Sequence, residues 1–192
     1  KSLLEHQIDA IKNCGIKDIV IVTGFYGEKI IDACKKIKGV NIKFIENPLY
    51  KTTSSGYSLW LARDEIKDGF IYINSDLFFH PEMLKRLVDS KYEHAITIKR
   101  KFGIEESDMQ RLIFDKNEKD RIRYMGRDVH IKEGEAIGIG PVKFGSNGAK
   151  LILKNLENAL KEGDKEKMYC YSVFGMSAAE HPFYGVEIGD LP

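Results

Sequence analysis

Cysteine is scarce in this chain: Cys14, Cys34 and Cys170 are the whole supply. Their number is odd and none has CxxC spacing, which argues against a disulfide framework and against a structural zinc site. All three are expected to be reduced, buried thiols. An excess of charge of either sign is missing too. Lys and Arg number 30 and Asp and Glu 29, for a formal charge of +1, and with no basic stripe or acidic tail nucleic-acid partners are disfavoured. The apolar runs are strand-length, far short of the roughly 20 residues of a membrane span, and no signal-peptide pattern occurs. The expectation is a cytosolic protein with neither nucleic acid nor membrane as partner.

What is present suits one globular domain. The 192 residues are 43% apolar and 31% charged, enough for a core of useful size. No internal repeat, low-complexity tract or linker divides them. Leu4, Ile8 and Ile11 repeat at helical spacing, with Ser2 and Glu5 in capping-box register and Gly15 as the stop. The β-branched run Asp18-Ile-Val-Ile-Val-Thr-Gly24 reads as a parallel strand covered on both faces. A helix over Gly27 to Ile37, a strand over Asn41 to Ile45 and a helix over Tyr57 to Ile66 follow. Phe70 to Ile73 is a further strand, Pro81 to Ser90 a helix and His94 to Arg100 a strand.

From Phe102 the texture changes. Arg111 to Asp115 and Arg121 to Met125 form an antiparallel hairpin insertion. A strand over Glu135 to Phe144, helices over Gly148 to Glu162 and Tyr169 to Glu180, and a strand over Tyr184 to Ile188 complete the chain. The fold class read from this alternation is α/β: a Rossmann-like, doubly wound, mostly parallel sheet with a small antiparallel hairpin insertion.

The chemistry centres on Asp76, delivered by the Phe70 to Ile73 strand to the place where that strand must stop. In open α/β sheets ligands bind beyond the carboxyl ends of the strands, so Asp76 is a candidate ligand for a hard divalent cation. For one Asp alone a helix cap or a turn hydrogen bond is the simpler reading, and the arrangement of apolar strand, Asp and aromatic-lined loop shifts the weight to the cation. The Ser54-Ser55-Gly56 turn precedes a helix, where free N–H groups and hydroxyls can meet a base or an anion. Tyr57 and Trp60, three residues apart, either pack in the core or offer aromatic faces to a cationic group, core packing being favoured for at least one. His80, beside the Pro81 helix, reads as a helix-terminus partner. Gly24-Phe-Tyr-Gly27 lacks the third glycine of a dinucleotide loop and the Lys-Ser or Lys-Thr of a Walker loop, so packing and capping account for it. No nucleophile motif is present.

Six segments, in order, resemble the sugar-nucleotidyltransferase superfamily: Lys1-Ser-Leu-Leu-Glu-His-Gln-Ile8, Asp18 to Gly24, Asn47-Pro-Leu-Tyr50, Gly56-Tyr-Ser-Leu-Trp-Leu-Ala62, Asn74-Ser-Asp76 and Glu135-Ala-Ile-Gly-Ile139. Within it the chain is most similar to the small cytidylyltransferases typified by phosphocholine cytidylyltransferase. The resemblance implies transfer of CMP from CTP to a small phosphorylated acceptor, with release of pyrophosphate and a requirement for Mg²⁺. Asp76 is then the metal ligand and catalytic residue, and Ser54, Ser55, Gly56, Asn74 and Asp76 form the nucleotide side. Tyr57, Trp60, Asp108 and Glu135 form the acceptor side. Phosphocholine leads among acceptors, with sugar 1-phosphates, inositol phosphate and aminoethylphosphonate open. A homodimer is compatible with it.

Against the family pattern, residues 1–192 read as a single nucleotidyltransferase-like domain without the N-terminal strand and Gly-rich loop or the C-terminal metal-ligand segment. Glu187-Ile-Gly-Asp190 matches that last segment only superficially. A weak or inactive catalyst is the expectation, and a binding or scaffold domain without catalysis the rival.

Overall fold

The computed structural model describes residues 1–100, 109–128, 135–163, 165–166 and 168–191. The first helix, α1 (Leu3–Asn13), is opened by Ser2. The Ser2 hydroxyl accepts from the Glu5 N–H at 3.3 Å, and the Glu5 carboxylate accepts from the Ser2 N–H at 2.7 Å, the reciprocal capping box that the spacing calls for. Gly15, at φ +77°, turns the chain off the helix end. It leads into β1 (Asp18–Thr23), which pairs in parallel with β2 (Asn41–Glu46) across α2 (Gly27–Cys34). α2 stops short of Ile37 because the N–H groups of Lys35 and Ile37 turn back to Asp32 and Cys34 in tight three-residue bonds.

The helix expected over Tyr57 to Ile66 is two, α3 (Ser55–Leu61) and α4 (Arg63–Ile66). The Ala62 N–H bonds to the Leu59 carbonyl and the Glu65 N–H to that of Ala62, so a tight turn re-aims the chain between them. Then come β3 (Gly69–Tyr72), α5 (Pro81–Asp89), β4 (Ala95–Lys99), the hairpin of β5 (Gln110–Phe114) and β6 (Ile122–Gly126), β7 (Ala136–Gly145), α6 (Ser146–Lys161), α7 (Cys170–Glu180) and β8 (Tyr184–Glu187).

β7 organises the second sheet. It runs antiparallel to β3, β4 and β5, while β8 is parallel to β4 and β6 antiparallel to β5. β3, β4, β5 and β8 therefore share one direction and only β6 and β7 oppose it. β4 takes one edge of β7, and β5 and β3 divide the other: β5 opposite Ala136 to Gly138, β3 opposite Val142 to Gly145. Pro141, which has no N–H to give, falls where the β4 register slips between Ile96 and Ile98, the irregularity at which a strand proline is tolerated.

Helices cover both faces of the sheet. On one, α3, α6 and α7 pack over Ile96, Ile98, Val142 and Phe144, with Phe174 of α7 in the same cluster; on the other, α1 and α5 enclose a smaller cluster of Ala10, Phe79, Met83, Leu84 and Ile188. β3 shows the alternation behind this, since Phe70 and Tyr72 join the larger cluster and Ile71 and Ile73 the smaller. β1 and β3 are nevertheless half-exposed along most of their length. Among the described residues β1 pairs only with β2 and β3 only with β7, so each has an open edge. No described helix is long and apolar enough to cross a membrane.

Candidate active site at the carboxyl ends of the strands

After β3 the chain makes a turn closed by the Leu77 N–H on the Asn74 carbonyl at 3.2 Å. Ser75 and Asp76 are its exposed central residues. Three groups fix the turn: the Gln7 amide donates to the carbonyls of Asn74 (2.9 Å) and Leu77 (2.7 Å), the Tyr72 hydroxyl to the Asn74 side-chain oxygen (2.7 Å), and His6 Nε2 meets the Phe79 carbonyl (2.8 Å). The Asp76 carboxylate itself has no hydrogen-bond or ion-pair partner among the described residues. An unpaired carboxylate on an anchored turn is free to engage a ligand. His80 caps α5, its ring accepting from the Glu82 N–H at 3.2 Å.

The Ser54-Ser55-Gly56 turn differs from the free-donor expectation. The Ser54 N–H bonds to the Lys165 carbonyl (3.1 Å), the Gly56 N–H to that of Met168 (2.8 Å), the Ser54 hydroxyl also donates to Met168, and the Ser55 hydroxyl accepts from the Cys170 N–H (3.1 Å). Residues leading into α7 thus take up the groups expected to be open. Gly56 is required by the contact, because a Cβ there would lie 2.4 Å from the Met168 carbonyl oxygen.

Tyr57 and Trp60 stack with centroids 5.8 Å apart and pack against the larger core cluster. The Arg63 guanidinium sits 4.3 Å from the Trp60 ring and the Lys165 ammonium 5.7 Å from that of Tyr57, so protein cations already occupy their faces. Glu135 lies at the head of β7, where its carboxylate accepts the Phe114 N–H at 2.6 Å and its own N–H bonds to the Leu112 carbonyl. That contact ties the hairpin to β7. Asp108 lies outside the described residues. Glu187 reaches Arg100 at 3.3 Å.

No group of three or more His, Cys, Asp and Glu gathers among the described residues. If Mg²⁺ were held at this turn, Asp76 would be a protein carboxylate toward it, with substrate phosphates and water completing its shell.

Sequence reasoning missed Gln7 and Tyr171. Gln7 falls in the helical register of Leu4 and Ile11 yet is polar, and a polar residue on a buried stripe signals a specific partner. The Tyr171 hydroxyl donates to the Gly140 carbonyl at 3.0 Å, and its pKa is raised by burial first, then by Cys170 and Asp76. Nothing local marks it. Burial likewise pushes the Cys170 thiol up to about 11, so it is no nucleophile at neutral pH. Cys34 is buried as well, whereas Cys14 is half-exposed.

This arrangement of sheet and helices recurs in a solved nucleotidyltransferase. The CTP:phosphocholine cytidylyltransferase of Streptococcus pneumoniae superposes with a TM-score of 0.77 at 22% identity, covering 100% of this chain and 78% of that one. At that identity the likeness establishes the fold, which is that of the nucleotidyltransferase class. In sequence, a choline-phosphate cytidylyltransferase of the same organism is 33% identical over 85 residues, 44% of this chain and 35% of the relative. A bifunctional IPC transferase and DIPP synthase of Aquifex aeolicus is 27% identical over 168 residues, 88% of this chain and 36% of the relative. The matched region is thus about a third of the length of either curated relative. Residues 1–132 match the family described as Domain of unknown function (DUF6564), and the chain belongs to that family.

Proposed function

We propose that this chain serves cytidylyl transfer, in which CMP passes from CTP to a small phosphorylated acceptor and pyrophosphate leaves, with phosphocholine the leading acceptor. The observation that carries the reading is the exposed, unpartnered Asp76 carboxylate on a turn held by Gln7 and Tyr72 at the carboxyl end of β3. The cytidylyltransferase relatives support the donor. Asp76 is the residue that would hold Mg²⁺, and the chemistry such an ion supplies is neutralisation of charge on the triphosphate and the leaving pyrophosphate. The acceptor phosphate is itself the nucleophile, so no activated Ser, Cys or His is needed. The protein's part is positioning. Asn74, bonded through its carbonyl to Gln7 and through its side chain to Tyr72, sets the height of the Asp76 turn.

A second reading, binding without turnover, is favoured by the Ser54 and Gly56 N–H groups being committed to the carbonyls of Lys165 and Met168. The experiment that separates them measures pyrophosphate release with Mg²⁺ across the four nucleoside triphosphates and a panel of phosphocholine, inositol phosphate, aminoethylphosphonate and sugar 1-phosphates. It is run for this chain beside calorimetric CTP binding. Release that needs CTP and one acceptor, and that falls at least a hundredfold in Asp76→Asn, supports transfer. CTP binding with no release under any pairing supports the second reading, and neither binding nor release overturns both.

A further inference from the structure

Four of the nine large apolar side chains exposed among the described residues crowd into two adjoining loops at the carboxyl ends of the parallel pair β1 and β2. Phe25 (64% exposed) and Tyr26 (51%) follow β1, and Leu49 (41%) and Tyr50 (37%) follow β2. The Phe25 ring lies 4.1 Å from that of Tyr26 and 6.2 Å from that of Tyr50, so the rings form one patch across both loops. Single exposed apolar residues need no explanation, whereas a contiguous group marks a contact surface. We infer that this patch docks a second copy of the chain, like face to like face about a two-fold axis.

The loops are built for display. Thr23 and Asn47, at their bases, are buried. The Asn47 N–H bonds to the Thr23 carbonyl at 2.8 Å, the Asn47 amide donates to the hydroxyls of Thr53 and Ser58 at 3.1 Å each, and its side-chain oxygen accepts from the Leu49 N–H at 2.9 Å. The Thr53 hydroxyl donates to the Leu49 carbonyl at 2.8 Å. Gly24 lets the loops close on each other, since a Cβ there would lie 2.6 Å from the Tyr50 Cβ. Tyr26 is held in the left-handed region, φ 52° and ψ 38°, which penalises a bulky residue. Packing and capping of α2 would be served with less strain by glycine or asparagine. A patch already anchored in this way loses little conformational freedom on binding.

Charge selects the occupant. Glu28 and Lys29 follow Tyr26 in the first turn of α2, and Glu46 and Lys51 bracket the second loop in the chain. All four are exposed, and none has an ion-pair partner among the described residues. The two lysines rest against the patch instead, with Nζ 4.0 Å from the Tyr26 ring for Lys29 and 5.9 Å from the Tyr50 ring for Lys51. Each loop thus carries one charge of each sign, and the rim sums to zero. Across a two-fold axis, where the patch faces itself, lysines of one copy can meet glutamates of the other. An anionic lipid surface would be repelled by as many groups as attract it. Four apolar residues a side fall short of the roughly 20–30 of a standard interface, so the dimer is a weak one, with a dissociation constant in the micromolar range.

Sedimentation equilibrium of the 192-residue chain tests this with two variants that make the rim single-signed, Lys29→Glu with Lys51→Glu and Glu28→Lys with Glu46→Lys. A third, Phe25→Ser, leaves every charge in place, and thermal unfolding checks that each is folded. The wild type is expected to reach a monomer–dimer equilibrium and each variant alone to associate about tenfold more weakly or worse. An equimolar mixture of the two charge variants should regain wild-type association. A wild type that stays monomeric to about 200 μM overturns the inference, as does a mixture of the folded charge variants that does not recover. Should a charge variant not fold, undiminished association of Phe25→Ser overturns it by itself. A monomeric wild type that binds vesicles of phosphatidylglycerol and phosphatidylcholine, more weakly with the lysines reversed and more tightly with the glutamates reversed, would overturn it in favour of a lipid surface.

Discussion

The side-chain amide of Gln7 donates to the carbonyl oxygen of Asn74 at 2.9 Å, joining the first helix to the turn that presents Asp76. The same amide reaches the Leu77 carbonyl, so one buried side chain spans both ends of that turn. Gln7→Leu should remove two hydrogen bonds and leave two carbonyls unsatisfied, lowering stability by about 1–3 kcal/mol. Thermal unfolding reads the loss. Exchange of the Leu77 N–H, which closes the turn on Asn74, should quicken with it, and an unchanged Leu77 rate would show that the turn holds by itself.

Gly56→Ala places a methyl group 2.4 Å from the Met168 carbonyl oxygen, a backbone atom that cannot swing aside. A destabilisation of about 1–3 kcal/mol is expected, with loss of the bonds that tie the Ser54 turn to Lys165, Met168 and Cys170. Gly15→Ala is the useful comparison: nothing lies within 4 Å of its Cβ, and only its positive φ is penalised, at about 1–2 kcal/mol. The two midpoints and a chymotrypsin digest around Tyr169 separate the effects. Only Gly56→Ala should open that site.

His94 makes folding depend on pH. It is buried, accepts the Gly145 N–H on Nδ1 at 3.2 Å, meets His181 edge-on at 5.0 Å, and has Glu93 and Lys143 as its other charged neighbours. Burial lowers its pKa below 6.5, a trend that Glu93 opposes and that His181 and Lys143 assist. The unfolded chain therefore takes the proton first. Stability contributed by neutral His94 is complete above pH 6.5 and is lost as the pH falls from there through the folded value. Denaturant midpoints should drop across that window in the wild type, whereas His94→Gln should start lower and change less.

Asp76→Asn should leave the stability within about 0.5 kcal/mol of wild type in thermal unfolding, because the carboxylate is exposed and has no hydrogen-bond or ion-pair partner among the described residues to lose. Any CTP-dependent pyrophosphate release should vanish with it. A large stability change would instead make Asp76 a structural turn residue.

Local signals carried much of the fold. The Ser2 and Glu5 box, the β-branched run of β1 and the spacing of Leu151, Ile152 and Leu156 in α6 each express a short-range rule that tertiary packing did not override. Legibility failed where partners are distant. The donors of Ser54 and Gly56 are taken by Lys165 and Met168, a pairing that no window of sequence contains. Tyr57 and Trp60 have the spacing of a ligand platform and of a core pair alike, and only the positions of Arg63 and Lys165 decide between them. Nor does an apolar run reveal whether its ladder is occupied on one edge or two, so the open edge of β1 is not legible in Asp18 to Gly24.

The division of one β7 edge between β5 and β3 acts as a ruler. β5 is pinned opposite Gly138 and β3 opposite Val142, so the hairpin and the Asp76 turn are held apart by the irregular stretch of β7 that carries Pro141. Any molecule gripped by both must fit that gauge. An insertion or deletion between Gly138 and Val142 would therefore move the Asp76 turn against the hairpin while leaving both ladders paired.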